Sequence, residues 1–309
     1  MATTTQADRI TVSKPTLRER LDMGNGVMPY FLVIPTLLVI CIVAIYPIVD
    51  SIYLSILDNP FIANPNNVGL ANYVRDLGDP QFMASVQITI IFSVISVVIE
   101  TVLGLGLAML MNQTFKGRGV LRAVILVPWA FPPVVSGQIW RLMYNDQNGI
   151  ISYIQQQLHI LKPGDTILNT PNGVLAASIA TDVWKTTPFM ALLLLAGLQV
   201  IPSDLYEAAS VDGSTRWQQF WTITLPLLRN SLLIALLFRL LDAIRVFDLF
   251  YIFTGGGREV QTMSSYSYNL MFQGVGTDFG PGAAAAVLLA ILAAIVSLII
   301  VTIMRFTRR

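Results

Sequence analysis

The residues most able to do chemistry in this sequence are charged side chains that interrupt long apolar stretches. They form two sets in which charges of opposite sign recur at every third residue: Asp182 and Lys185, and then Arg239, Asp242, Arg245 and Asp248. An isolated charge at the centre of a membrane-spanning helix costs about 2.5 to 3.5 kcal/mol, so we expect neighbours within each set to neutralise one another. Since three residues turn a helix by about 300°, we expect that the four residues of the second set cannot all line one face of a pore and that some of them brace other helices. Each of them could therefore brace other helices or contact a solute.

The stretch that contains Asp182 continues into a polar step, Thr186-Thr187-Pro188, with Trp184 close by. Pro188 has no backbone N–H to donate, and interrupted helices at mid-membrane are a recurrent device for binding solutes. Hydroxyls and carbonyls suit the hydroxyl groups of a sugar, and an aromatic ring suits its C–H surface. We therefore predict a solute path lined by Trp184, Thr186, Thr187, Arg239, Asp242 and Asp248. The alternative is an ordinary proline kink whose carbonyl is satisfied by a threonine hydroxyl.

A lone acidic residue, Glu100, lies in another apolar stretch, where it needs a partner; we expect it to brace helices rather than to bind solute. No catalytic pattern accompanies these groups. The sequence has one histidine and one cysteine, and it lacks both the phosphate-binding pattern GxxxxGK[ST] and a nucleophile elbow. We therefore expect no metal, no cofactor and no enzymatic activity in this chain. A net charge of +1 also gives no reason to expect a nucleic-acid partner.

The elements that must position these groups are apolar helices, since 54% of the residues are hydrophobic and only 12% are charged. A helix needs about 20 apolar residues to cross a bilayer. We therefore predict an all-α integral membrane protein with six membrane-spanning helices, at residues 27–49, 82–112, 119–144, 173–200, 229–254 and 282–305. Residues 1–26 precede this six-helix domain of residues 27–305, and a tail of residues 306–309 follows it.

Basic residues are distributed unevenly between the connections of these helices. Of the 19 lysines and arginines, 12 lie in the connections and termini on the side of the N-terminus or in the helix turn next to them, and the opposite connections hold only three. Positively charged connections are typical of the cytoplasmic side of a membrane. We therefore predict that both termini and the connection 201–228 are cytoplasmic, and that the connections 50–81, 145–172 and 255–281 lie outside.

The connection 201–228, which we call the hook, has the pattern of a helix, a turn and a second helix. Asp212 and Gly213 form a strong turn signal. Thr215 and Gln218 have the spacing of a capping box for a second helix that reaches Pro226. A polar helical pair between two membrane spans indicates a surface that docks on another protein.

The hook resembles the EAA loop of binding-protein-dependent ABC importer permeases. The resemblance rests on elements at fixed spacing: Glu207-Ala208-Ala209, then Gly213, then Ile223-Thr224-Leu225-Pro226. It implies a type I importer permease fold in a bacterial cytoplasmic (inner) membrane. It also implies that a cytoplasmic ATPase is contacted through Glu207, Ala208, Ala209, Asp212, Gly213 and Pro226.

The resemblance extends from about residue 27 to the C-terminus and points to the sugar branch of these permeases. Residues 69–73, 117–135, 182–213 and 235–257 look like maltose, trehalose and multiple-sugar permeases, and most like the trehalose type. The implied substrate is a trehalose- or maltose-like disaccharide, while another oligosaccharide, a glycosyl-polyol or glycerol-3-phosphate stays open. One departure is Arg258-Glu259, where the family often has a proline; it leaves the contacts of that outer loop open.

The resemblance also implies a set of partners. These are a second homologous permease, two ATPase subunits that bind ATP and Mg, an extracytoplasmic solute-binding protein or lipoprotein, and membrane lipid. An ion-coupled secondary transporter and a channel subunit are the alternative functions. Neither of them needs a docking element with the pattern of the hook, so the hook favours the importer.

Overall fold

The computed structural model describes residues 28–60, 64–273 and 278–307 of the 309-residue chain. The predicted segment 1–26 and the last two residues of the predicted tail lie outside these residues. The described part is built from helices: α1 (Met28–Ile40), α2 (Tyr46–Ser55), α3 (Ala71–Gly78), α4 (Pro80–Asn112), α5 (Arg118–Ala130), α6 (Pro133–Met143), α7 (Ile150–Gln157), α8 (Pro171–Leu198), α9 (Ser203–Val211), α10 (Arg216–Gln219), α11 (Leu225–Ile244), α12 (Asp248–Thr254), α13 (Met263–Phe272) and α14 (Phe279–Thr307).

Four helices in this part are long and apolar enough to cross a membrane: Leu32–Ser55, Pro80–Asn112, Pro171–Leu198 and Phe279–Phe306. They correspond to the first, second, fourth and sixth predicted spans. The first of them runs through a π-helical segment, Cys41–Ile45, and continues to Ser55. It is therefore longer than the predicted 27–49, because the single charge of Asp50 does not end the helix.

The third predicted span is not one straight helix. It consists of α5 and α6, which are bent by 89° at a short break. Pro132 and Pro133 explain the bend, since the residue before a proline is driven out of the helical region. Phe131 and Pro132 accordingly have extended backbones, with ψ of 136° and 145°. These two prolines thus turn the chain through nearly a right angle.

The fifth predicted span, 229–254, is divided as well. Helix α11 ends at Ile244, and α12 begins at Asp248 after a non-helical turn. Helix α11 also carries Arg229, Arg239 and Asp242, and it is absent from the described helices that are apolar enough to span a membrane by themselves. A helix with this many charges needs protein partners along its length.

The described residues up to Tyr53 and those from Leu54 onward form two units, and the core of the second lies between α4, α8, α11 and α12. Two glycines let these helices approach closely. A Cβ atom on Gly104 of α4 would lie 2.7 Å from Met190 Cγ of α8. A Cβ atom on Gly197 of α8 would lie 2.5 Å from Ser231 Cβ of α11. Small residues at such contacts are typical of helices packed within a membrane.

Helix α3 presents a polar face to the interior. The Asn72 side chain donates to the carbonyl oxygens of Ser55 and Leu57, at 2.8 and 2.7 Å. Asp76 lies one turn further along and is fully buried. Its two carboxyl oxygens have no hydrogen-bond partner among the described residues, because the neighbouring Arg75 pairs with Asp278 at 3.1 Å. Burial, which has the largest effect, and the carboxylates of Asp79 and Asp278 raise the pKa of the Asp76 carboxyl to about 7 against the lowering effect of Arg75.

Asp76 should therefore make the folded state less stable as the pH rises. The unfolded chain releases this proton near pH 4, whereas the folded chain holds it until about pH 7. The stability that protonated Asp76 supplies is complete below about pH 4 and is lost on the way up to about pH 7. We expect the thermal midpoint of the purified protein to fall over this range and the fall to be smaller in Asp76→Asn. Exposed Asp204 provides the control: Asp204→Asn should keep the wild-type profile, and an unchanged profile in Asp76→Asn would contradict the assignment.

Candidate functional site

A fully buried arginine lies where three packed helices meet. Arg239 of α11 is 1% exposed and is the largest fully buried side chain among the described residues. Its neighbours are Glu100 of α4 and Asp182 of α8, which are also buried. Glu100 and Asp182 lie in the middle part of their helices, and Arg239 lies in the second half of α11. The close packing of the helices brings the three side chains to one level.

The guanidinium group of Arg239 is bound on three sides. Its Nε and Nη2 atoms donate to the two carboxyl oxygens of Glu100, at 2.5 and 2.9 Å. Nη2 also contacts Asp182 Oδ2 in a short ion pair, and Nη1 donates to Asp242 Oδ2 at 3.0 Å. The Thr186 hydroxyl lies 2.6 Å from Glu100 Oε1 and completes the coordination of that carboxylate.

This ionic cluster, Arg239 with Glu100, Asp182 and Asp242, gives its members different roles. Glu100 and Arg239 are sealed from solvent, whereas the Asp242 side chain is 68% exposed. Removing charges from water is costly unless they are paired with good geometry and further hydrogen bonds. The bidentate pair between Arg239 and Glu100 has such a geometry. Arg239 and Glu100 therefore brace α4, α8 and α11, as predicted for Glu100, and Arg239 offers almost no surface to a solute.

The break between α11 and α12 divides the second set of charged residues: Arg239 and Asp242 lie in α11, Arg245 lies in the turn, and Asp248 begins α12. Arg245 follows the last residue of α11, and Val246 and Phe247 are non-helical. The Thr262 hydroxyl donates to the Val246 carbonyl oxygen at 2.8 Å, which satisfies a backbone group that the break exposes. The expectation that the four charges of this set could not share one face assumed a single helix and is wrong. After the turn, all four line one cavity.

This polar cavity has a volume of about 290 Å³. Its lining comes from α6, α8, α11, α12 and the turn between the last two: Pro133, Asp182, Lys185, Thr186, Arg239, Asp242, Ala243, Arg245, Val246, Phe247, Asp248 and Leu249. Lys185, Arg245 and Asp248 have no ion-pair partner within 4 Å in the described part of the chain. The cavity thus presents both free donors and free acceptors, which is the combination that hydroxyl groups require.

Four of the six predicted path residues, Thr186, Arg239, Asp242 and Asp248, line this polar cavity. Trp184 and Thr187 do not. They line a separate, mostly apolar cavity of about 580 Å³ between α4, α5 and α8, because they point to another side of α8. Trp184 also packs edge-on against Trp140, with ring centroids 5.6 Å apart.

Helix α8 is not interrupted at Pro188. It stays helical from Pro171 to Leu198. The Thr186 hydroxyl lies 2.6 Å from the Asp182 carbonyl oxygen, and the Thr187 hydroxyl donates to Val183 at the same distance. The helix therefore accommodates Pro188 without an interruption, but these hydroxyls bind Asp182 and Val183 and not Trp184, whose carbonyl oxygen Pro188 leaves without its helical donor. The interruptions that shape the polar cavity lie instead between α5 and α6 and between α11 and α12.

The hook forms a second candidate site at the other end of α11. Helix α9 ends at Val211, and Gly213 follows with a positive φ of 81°, a conformation that glycine adopts without strain. The predicted capping box between Thr215 and Gln218 is present. The side chains of Glu207, Ala208, Asp212 and Pro226 are exposed, and Ala209 is half-buried.

Gln219 fastens the two arms of the hook. Its amide nitrogen donates to Ser210 Oγ at 2.9 Å and approaches the carbonyl oxygens of Tyr206 and Ser214 at 3.4 and 3.3 Å. The Tyr206 hydroxyl lies 3.0 Å from Thr224 Oγ1. Sequence patterns missed this clip, since a single buried glutamine has no characteristic spacing. The hook is consequently a preformed shape rather than a loose loop.

The second arm of the hook does not stop at Pro226. Helix α10 passes into a π-helical segment, Phe220–Thr224, and then directly into α11. Leu225 donates to the Phe220 carbonyl, one residue further back than in an α-helix. This wider turn accommodates Pro226, which cannot donate and would crowd a regular helix. Residues 216–244 therefore form one helical rod from the hook to the turn beside the polar cavity.

The chain is similar in sequence to known membrane transport proteins. The family described as "binding-protein-dependent transport system inner membrane component" matches residues 100–309. The trehalose/maltose transport system permease protein MalF of Thermococcus litoralis is 41% identical over 293 residues, which cover 94% of this chain and 98% of that protein. The trehalose transport system permease protein SugA of Mycobacterium tuberculosis is 34% identical over 288 residues, 92% of this chain and 91% of that protein.

A solved structure shares the fold. A chain of a bacterial alginate ABC transporter, in complex with an alginate pentasaccharide-bound periplasmic protein, superimposes with a TM-score of 0.72. The match covers 88% of this chain and 92% of that chain at 21% sequence identity. At this identity the likeness supports the fold, a type I ABC permease, and not the ligand.

The ionic cluster predicts that substituting its arginine costs more stability than substituting one of its carboxylates. Arg239→Met leaves Glu100 and Asp182 buried without a cation, and such a loss typically costs about 3 to 5 kcal/mol. Glu100→Gln should cost less, because Arg239 keeps two carboxylate partners and the amide can still accept a hydrogen bond. Adding Glu100→Gln to Arg239→Met should restore part of the loss. The measurements are the amount of folded protein in the membrane and its thermal midpoint.

The matched control is Arg229→Met, which removes an exposed arginine from the same helix. It should leave both measurements near the wild-type values. Equal losses in Arg229→Met and Arg239→Met would show that the ionic cluster does not hold the helices together.

Proposed function

Because this chain belongs to the family of binding-protein-dependent transport system inner membrane components, we propose that it is the membrane-spanning permease subunit of an ATP-driven importer for a trehalose- or maltose-like disaccharide. The observation that carries the choice of solute is the polar cavity beside the ionic cluster. Its free carboxylates accept hydrogen bonds from sugar hydroxyls, and Lys185 and Arg245 donate to sugar oxygens. MalF and SugA, which are named for trehalose and maltose transport, support this substrate class.

This subunit forms one half of the solute path. The polar cavity of about 290 Å³ is at or below the usual range for ligand pockets, about 300 to 1,000 Å³. A second, homologous permease facing the same cavity would enlarge it to enclose a disaccharide. An extracytoplasmic solute-binding protein or lipoprotein would deliver the sugar to the outer connections, 50–81, 145–172 and 255–281.

The hook is the docking element for a cytoplasmic ATPase. Its exposed residues Glu207, Ala208 and Asp212 border the sharp turn at Gly213, and the internal clip of Gln219 keeps this shape without a partner. Two ATPase subunits would bind ATP and Mg, one for each permease. With the hook in the cytoplasm, both termini lie on the cytoplasmic side, as the distribution of basic residues predicts.

The helical rod of residues 216–244 links the two sites mechanically. At about 1.5 Å per residue, its 29 residues reach roughly 43 Å. A displacement of the hook by closing ATPase subunits would therefore move the far end of the rod, where Asp242 lines the cavity. Rigid-body motion of this kind is a common way to change which side of a membrane a cavity faces.

The test of the proposed function is a disaccharide screen on the assembled transporter. The complete complex of both permeases, two ATPase subunits and the binding protein is reconstituted, and ATP hydrolysis is measured with trehalose, maltose, sucrose and lactose. We expect trehalose or maltose to stimulate hydrolysis and to accumulate inside vesicles when ATP is supplied. Uptake driven by an ion gradient without ATP would indicate an ion-coupled transporter instead.

The hook predicts that coupling fails without loss of the membrane fold. Leucine at position 213 must adopt a positive φ, which costs about 1 to 2 kcal/mol, although a Cβ atom at this position would meet no atom within 4 Å. Glu207→Lys reverses the charge offered to the ATPase, and like-charge contacts at an interface cost several kcal/mol. Both variants should insert normally, lose most transport and retain less ATPase on purification.

Two outer residues provide matched controls for these variants. Gly164 also has a positive φ, 75°, and open space around it, so Gly164→Leu applies a similar strain on the other side. Glu259 is exposed in an outer connection, so Glu259→Lys applies the same charge reversal there. Both controls should keep ATPase retention. Full retention and wild-type uptake in the two hook variants would refute the docking role.

Nucleotide binding should depend on the partner subunits. Because this sequence lacks a phosphate-binding loop, the purified subunit alone should bind no Mg-ATP in a calorimetric titration, and the assembled complex should bind it. Saturable binding of Mg-ATP by the isolated subunit would contradict the division of labour proposed here.

A further inference from the structure

The polar cavity has a defined balance of charge. Three cations line it, Lys185, Arg239 and Arg245, and so do three anions, Asp182, Asp242 and Asp248. Glu100 lies directly behind the lining and binds Arg239. With every group in its ordinary charge state, the lining sums to zero, and Glu100 makes the whole site negative by one unit.

The buried members of this set are not available to a solute. Arg239 is enclosed by three carboxylates, and Asp182 has only a small exposed fraction. Lys185 and Asp248 are half-buried, and Asp242 and Arg245 are exposed. A solute in the cavity therefore meets two free cations and two carboxylates of similar access.

The two accessible carboxylates, Asp242 and Asp248, lie close together in the fold although they belong to different helices. Asp242 lies in the last turn of α11, and Asp248 is the first residue of α12, after the short turn at Arg245, Val246 and Phe247. That turn brings both of them onto the cavity wall that carries Arg245. In formal charge, the two aspartates offset Lys185 and Arg245, and Asp182 offsets Arg239, so the negative charge of Glu100 is not balanced within the site.

We infer that Asp242 and Asp248 make this permease select against anionic sugars, so that neutral polyols enter the cavity while sugars bearing phosphate or carboxylate groups are rejected. This inference rests on the proposed function of the cavity as a solute site. A neutral sugar can donate hydroxyls to both aspartates and accept from Lys185 and Arg245. An anionic sugar would add a second excess negative charge to a site that already carries one, and the like charges would repel each other.

Substitution can change this charge in single steps without changing size. Asp248→Asn raises the charge of the site from minus one to zero, and the double variant with Asp242→Asn raises it to plus one. The asparagine at position 242 can still accept the hydrogen bond that Arg239 now gives to Asp242 at 3.0 Å. The ionic cluster therefore keeps its geometry, and the change is confined to the side that faces the cavity.

The experiment uses the complete transporter without its binding protein, because the binding protein would impose a selection of its own. Trehalose, maltose, trehalose 6-phosphate and a disaccharide containing glucuronic acid are titrated against each variant by calorimetry. The thermal midpoint without sugar confirms that each variant is folded. For the wild type, we expect neutral disaccharides to bind at least about tenfold more tightly than the anionic ones, as expected for uncompensated like charge.

We expect the ratio of affinities for neutral and anionic disaccharides to decrease in Asp248→Asn. In the double variant this preference for neutral sugars should disappear or reverse. Asp146→Asn and Glu259→Gln are the controls, because these carboxylates line a separate cavity, and both should keep the wild-type preference. Equal binding of neutral and anionic sugars by the wild type, or an unchanged preference in the folded double variant, would overturn the inference while the proposed function stands. Failure of every sugar to bind any folded variant would instead refute the cavity as the solute site.

Discussion

The buried guanidinium group of Arg239 is the constraint on which the arrangement of the helices depends. It is held by Glu100 of α4, Asp182 of α8 and Asp242 of its own helix. A charge in this position is tolerable only if its partners arrive together, because an unpaired buried ion costs several kcal/mol. Packing and electrostatics are therefore coupled here: the close approach of α4 to α8 at Gly104 places the two carboxylates at the level of the arginine.

The brace also explains why a polar cavity can exist beside it. Glu100 and Asp182 form ion pairs with Arg239. The other charged side chains that line the cavity, Lys185, Arg245 and Asp248, therefore have no ion-pair partner in the described residues. Unpaired groups at this depth need water or a polar ligand. One set of charges thus fixes the helices, and the other gives the cavity its chemistry.

The sequence was sufficient for features that depend on local patterns. Apolar length identified α4, α8 and α14, and turn and capping residues identified the turn at Gly213 and the capping box of the hook. It was insufficient where the outcome depends on contacts between distant residues. Nothing near Glu100 indicates that its partner is Arg239, which lies 139 positions away. The break after Ile244 was also missed, because charges at every third residue look the same in one helix or in two, and this break brings Asp248 to the cavity.

The same interaction limits how the molecule can move. The rod of residues 216–244 is tied to α4 and α8 through Arg239, so it cannot slide past them without separating buried charges, at a cost of about 3 to 5 kcal/mol. Motion that starts at the hook must therefore carry these helices together. We expect relative movement to be concentrated where the backbone is already interrupted, at Phe131-Pro132 and at residues 245–247. Both interruptions border the polar cavity through Pro133 and Arg245, so a rigid displacement of the braced helices changes the cavity without breaking the brace.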